Sequence, residues 1–185
     1  MSGTLNSNTA QLLIIDVQER LTPAMYDREG VIKACGILLE GARILQIPAT
    51  ISEQYPKGLG HTDQDLMAHN DGADIFEKIH FSCMRDDAIS THLGDLKDAG
   101  RTQLVIGGIE AHICVLQTAL EAIEAGFETY IVADAINSRT HTSQELAQTR
   151  LQAAGATLIT TEMALFECLG KAGSEEFKTI SRLIK

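Results

Sequence analysis

The sequence predicts an α/β domain: a doubly wound parallel sheet of six strands, order 3-2-1-4-5-6, lying between two layers of helices. Three observations lead there. Short apolar runs alternate with amphipathic helical patterns, which is the rhythm of strand–helix–strand units in a parallel sheet. A helix, a glycine and a strand follow one another three times, at Gly100, Gly126 and Gly155. Several apolar runs also end in, or just before, residues able to do chemistry, and folds of this class place their sites beyond the carboxyl ends of the strands.

Each element has its own signal. "QLLIIDVQ" (11–18) is a strand buried on both faces that ends near an acid. Over 30–47, Val31, Ala34, Cys35, Leu38, Leu39, Ala42 and Leu45 recur at three-four spacing, so the segment is an amphipathic helix. "PATIS" (48–52) is the second strand, and "EQYPKGLGHTDQD" after it is a Gly/Pro-rich loop. "ADIFEK" (73–78) is a third strand ending in a charge, and 86–99 is a helix closed by Gly100. "QLVIGGI" (103–109), "ETYIVADA" (128–135) and "ATLIT" (156–160) are the remaining strands. Helices at 111–125 and 142–154 separate them, and helices at 162–169 and 174–184 follow. Residues 1–9 are polar and read as a flexible tail, leaving 10–185 as one domain.

The totals exclude several functions. The formal net charge is −10, with no cluster of Lys and Arg, which argues against nucleic acid or an anionic membrane as partner. No apolar run approaches the roughly 20 residues of a membrane helix, and no secretory signal is evident. Cys35, Cys83, Cys114 and Cys168 form no CxxC pair and read as reduced thiols in a cytoplasmic protein. Cys35 lies on the apolar stripe of its helix and, like Cys168, reads as core.

Cys114 is different. It follows two glycines at the junction of a strand and a helix. Backbone N–H groups at a helix start favour negative charge, so they can support a thiolate. The same groups can hold the oxyanion formed when that thiolate attacks a carbonyl. Asp16 closes the first strand, where an acid is costly to bury without a partner; it is a candidate base for the thiol proton. Lys78 closes the third strand and is a candidate cation for both, expected to lower the thiol pKa. Plain packing, capping and surface roles also fit each residue singly.

"LLIIDVQ", "FEKIHFS" and "VIGGIEAHICV" together resemble the isochorismatase-like cysteine hydrolases, a superfamily that includes nicotinamidases and N-carbamoylsarcosine amidohydrolases. "SEQYPKGLGHT" (52–62) resembles the isochorismatase-domain-containing subgroup. The resemblance runs from about Leu12 to Leu165. It implies a catalytic triad of Asp16, Lys78 and Cys114. It further implies a cis peptide joining Ile109 to Glu110, and an oxyanion hole made by the N–H groups of Glu110 and Cys114. The implied reaction cleaves a small amide-type C–N bond through a thioester, in a protein that associates with copies of itself.

Nicotinamidases carry a metal-binding Asp-x-His pair after the second strand. Here the matching residues are Ser52-Glu53-Gln54-Tyr55, with only His61 and Asp63 nearby, so neither metal nor other cofactor is expected. Gln18, Gln54, Tyr55, Phe81 and Ile109 are candidate pocket residues for a small-molecule substrate. His112 is too close in sequence to Cys114 to face it from a helix, and Cys83 is a candidate second thiol. A binding protein of the same fold, or a redox-sensing thiol protein in which Cys83 resolves Cys114, are the alternatives.

Overall fold

The structure is a computed structural model describing residues 3–185. Six strands form one parallel sheet in the order β3-β2-β1-β4-β5-β6, as expected. They are β1 (Ala10–Ile15), β2 (Ala49–Gln54), β3 (Asp74–Lys78), β4 (Gln103–Ile109), β5 (Glu128–Asn137) and β6 (Thr157–Ile159). The helices are α1 (Arg28–Ile44), α2 (Pro56–Leu59), α3 (Gln64–Met67), α4 (Asp87–Asp98), α5 (Leu116–Glu124), α6 (His141–Ala153), α7 (Thr161–Leu169) and α8 (Glu175–Leu183).

β1 shows why the apolar runs become central strands. Every one of its residues is buried. Successive side chains leave a strand on opposite faces. Leu12 and Ile14 therefore enter the apolar layer beneath α1 and α7, whereas Leu13 and Ile15 enter the layer beneath α4, α5 and α6. Each such side chain contributes about 1.5–3 kcal/mol on full burial. α1 begins two residues before the expected start because the Asp27 carboxylate accepts the Gly30 N–H at 2.9 Å and caps it. The expected stops at Gly100, Gly126 and Gly155 fall just past the ends of α4, α5 and α6.

Two expectations are corrected. The segment over 53–65 is not loop throughout: α2 and α3 occupy parts of it, with Pro56 opening the first and Asp63 capping the second. Nor does a flexible tail describe residues 3–9. Leu5 is 2% exposed within the α1 layer, the Leu5 N–H donates to Glu167, and the Asn6 N–H donates to the Gln103 side chain. Tyr130 Oη donates to the Gly3 carbonyl at 2.8 Å. One buried leucine and these bonds hold a segment whose polar composition hides them. Residues 1–2 of the expected tail lie outside the described residues. No helix of the described residues is long and apolar enough to cross a membrane.

Candidate active site

The carboxyl ends of β1, β2 and β3 and the end of β4 bring the candidate residues together. β1 stops at Ile15, and Asp16 turns out of it with φ of 54°, a left-handed conformation that Asp tolerates better than most residues. Ser52 holds this turn at two points. The Asp16 N–H donates to the Ser52 carbonyl at 3.0 Å, and Ser52 Oγ donates to Asp16 Oδ1 at 2.7 Å.

Lys78, at the end of β3, directs its ammonium at the other carboxylate oxygen. Nζ lies 2.6 Å from Asp16 Oδ2, and neither side chain has solvent exposure. Nζ also donates to Gln54 Oε1 at 2.8 Å and to the carbonyls of Phe81 and His80 at 3.1 and 3.2 Å. Three N–H bonds serve four acceptors, so no donor is left over for solvent.

β4 ends at Ile109, and the Ile109–Glu110 peptide bond is cis. A single π-helical turn, Ala111–Val115, follows and runs into α5; it carries Cys114, 6% exposed, with its thiol towards Asp16. Gly108 makes the approach possible. Its φ is 114°, and a Cβ there would stand 2.1 Å from the Ile15 carbonyl oxygen. The Glu110 side chain accepts from Arg139 Nε at 3.0 Å and from the Arg139 N–H at 3.2 Å. The Glu110 N–H makes no backbone bond among the described residues.

The electrostatics differ from the expectation on one point. Burial, and then the Asp16 charge, push the Cys114 thiol well above its ordinary range; Lys78 pulls it down without compensating. The resting sulfur is therefore a neutral thiol. Burial also raises the Asp16 carboxyl, opposed by Lys78. Burial works against the Lys78 ammonium, but the facing Asp16 charge holds it above the ordinary lysine value. Cys83, also buried beside this cluster, is pushed up to about 11, chiefly by burial.

The candidate pocket residues divide. Gln18 is wholly buried: its amide donates to the Gln54 and Gly60 carbonyls and its Oε1 accepts the Gln54 N–H. Gln54 spends Oε1 on Lys78 and Nε2 on the Ile79 carbonyl. Contrary to the expectation that both face a substrate, they hold loop backbone and the lysine. Tyr55 and Phe81 are about half exposed, at 51% and 54%. Phe81 meets the cluster through its carbonyl. Ile109 is buried in β4.

His112 Nδ1 lies 2.9 Å from Ser138 Oγ, so its partner is that hydroxyl and not Cys114. His61 pairs with Glu53 at 2.8 Å, and Asp63 is taken up by Thr22 and Arg28. Cys35 is core, donating to the Ala135 carbonyl. A cavity of about 480 Å³ bordered by Tyr26, Lys33, Asp134 and His141 lies elsewhere, and none of the three candidates lines it. Ser52 is a site residue that the sequence reading misses. Its signal is a polar side chain at the end of a buried strand, two positions before Gln54 and so on the same face.

The molecule is thus an α/β protein with a doubly wound parallel sheet that buries an acid just after β1, a lysine at the end of the edge strand β3 and a thiol in the turn after β4. The chain belongs to the isochorismatase family: the isochorismatase domain model matches residues 10–163. It is 39% identical over 183 residues to isochorismatase domain-containing protein 2 of Danio rerio, covering 98% of this chain and 90% of that protein. The solved structure of MAR1 ribonuclease from Caenorhabditis elegans superposes with a TM-score of 0.90 at 34% identity, covering 98% and 92% of the two chains. The YcaC gene product of Escherichia coli, described as an octameric hydrolase of unknown specificity, matches with a TM-score of 0.90 over 99% and 91% of the chains; at 22% identity it speaks to fold alone.

Proposed function

We propose that this isochorismatase-family hydrolase is a cysteine hydrolase acting on a small amide-type C–N bond, with Asp16, Lys78 and Cys114 as its catalytic residues. The observation that carries the reading is the wholly buried Asp16–Lys78 pair, 2.6 Å apart, beside the Cys114 thiol.

The charges explain how a thiol held so high can react. Before the step the cluster holds one carboxylate, one ammonium and a neutral thiol. Afterwards it holds a carboxylic acid, the ammonium and a thiolate. Net charge is unchanged, so burial does not oppose the transfer as it would an isolated ionisation. Asp16 takes the Cys114 proton as Sγ bonds to the carbonyl carbon, and Lys78 faces the charge throughout. The oxyanion is received by the Glu110 and Cys114 N–H groups. Asp16 gives its proton to the leaving nitrogen, the C–N bond breaks, and a thioester remains. Water then gives a proton to Asp16 and attacks the thioester, and the thiolate leaves and is reprotonated.

A small uncharged carbonyl compound suits a site with so little exposure. Nuclease activity, suggested by the name of the C. elegans neighbour, fits less well with a net charge of −10, which repels a phosphodiester. The test is a panel of small amides, ureides and carbamoyl compounds assayed for ammonia release, with Cys114→Ala as blank. Turnover that disappears in the blank is the expected result; turnover undiminished in it would defeat the reading.

A further inference from the structure

We infer that Ser52 is a positioning residue that sets the basicity of Asp16, through a hydrogen-bond chain running from α5 by way of Cys83. The inference rests on the reading of Asp16 as the base for Cys114.

The chain has a defined direction. Asp16 as a carboxylate only accepts, so the Ser52 hydroxyl proton points to Oδ1 at 2.7 Å. The Ser52 oxygen is then left as acceptor, and Cys83 Sγ lies 3.5 Å away as its donor. Cys83 is itself fixed, its N–H donating to Thr118 Oγ1 at 2.9 Å. All four side chains, Asp16, Ser52, Cys83 and Thr118, are fully buried. These groups lie out of reach of bulk solvent, which makes each bond count for more than it would at a surface.

The arrangement divides the carboxylate into two separately held oxygens. Lys78 takes Oδ2 and Ser52 takes Oδ1. With the Asp16 N–H also bonded to the Ser52 carbonyl, backbone and side chain are tied to one residue of β2. Rotation of the carboxyl group would break both side-chain bonds together. A donor to the carboxylate stabilises its charged form, so Ser52 opposes the upward push of burial and lowers the basicity of Asp16. The titratable groups facing Asp16 are Lys78 from β3, Cys83 after it and Cys114 from the π-helical turn. Of these, Cys83 stays protonated at neutral pH and acts only as donor.

The test reads Cys114 alkylation by iodoacetamide across pH, followed by peptide mass so that each thiol is scored separately. Asp16 and Cys114 lose their first proton as a coupled pair, and that loss forms the acid limb of the profile. Ser52→Ala is expected to move this limb up by about one pH unit, as removal of a donor to a charged group should. Ser52→Thr, which keeps the hydroxyl, restores it. Cys83→Ala moves it in the same direction by less. A folded Ser52→Ala protein whose limb coincides with the wild type overturns the inference; should that variant not fold, an unmoved limb in folded Cys83→Ala does so. Asp16→Asn separates this from the broader reading. If it leaves the profile as in the wild type, the acid–thiol coupling itself is wrong. If it abolishes the limb while Ser52→Ala does not shift it, only the role of Ser52 falls.

Discussion

Lys78 and Asp16 meet at 2.6 Å with no solvent exposure on either side chain, so the charge of each is tolerable only because of the other. Removing one partner of such a pair strands a buried charge, at a cost of about 3–5 kcal/mol. Lys78→Met should lower stability by that amount in urea unfolding. The double variant Asp16→Asn/Lys78→Met should recover a substantial part of the loss, because it leaves no uncompensated charge. A double variant that is simply the sum of the singles would show that the pair is not coupled.

The same two residues should move thiol reactivity in opposite directions. The Asp16 charge is one of the factors holding the Cys114 thiol up, and Lys78 pulls it down. At neutral pH, Asp16→Asn should therefore raise the rate of Cys114 alkylation while abolishing ammonia release. Lys78→Met should lower both. Peptide mapping after brief iodoacetamide treatment checks the first quantity. Parallel changes in alkylation and turnover for Asp16→Asn would contradict this account.

Gly108→Ala should be among the most damaging single changes in the protein. The added methyl would meet backbone atoms of Ile15 at 2.1 and 2.5 Å, at a φ that side chains rarely adopt. Backbone of a central strand cannot move aside as a flexible side chain would. A loss of more than about 3 kcal/mol, or insoluble protein, is expected. Gly94→Ala is the control: nothing lies within 4 Å of the place its added methyl would take, it sits within α4, and it should be neutral or slightly stabilising.

Glu53 gives a pH-dependent contribution. Burial alone would raise its carboxyl, but the Thr62 N–H, His61 and the Thr62 hydroxyl together hold it below the ordinary 4.5. A depressed folded-state value stabilises the protein above the unfolded-state pKa, and that contribution is lost as pH falls through the folded-state value. Glu53→Ala should cost about 1–3 kcal/mol at pH 7. The gap between variant and wild type should narrow below about pH 4 in thermal melts. A gap constant down to pH 3 would mean that packing, not charge, is what the substitution removes.

Much of this is legible in the chain. The parallel α/β class and the placing of Asp16 and Lys78 at strand ends follow from strand–helix alternation, which leaves few topologies and puts those ends on one side; the grouping of both with Cys114 is what the family resemblance implies. The roles of Gln18 and Gln54 are not legible. Sequence shows an amide beside a loop; only the folded chain shows that Gln18 is wrapped in carbonyls and that Gln54 faces an ammonium. Leu5 is hidden for a related reason, since one apolar residue among polar ones has no periodicity to display. The raised thiol of Cys114 departs from expectation chiefly because the folded chain buries it, and then because the Asp16 charge opposes what Lys78 offers; neither the burial nor the facing charge is visible in the sequence.

The pleat of β2 has a practical consequence. Ser52 and Gln54 look one way, towards Asp16 and Lys78, and Glu53 looks the other, towards His61 and Thr62. One short stretch of backbone thus keeps two separate jobs apart, steadying the buried ion pair on its front and anchoring a loop on its back.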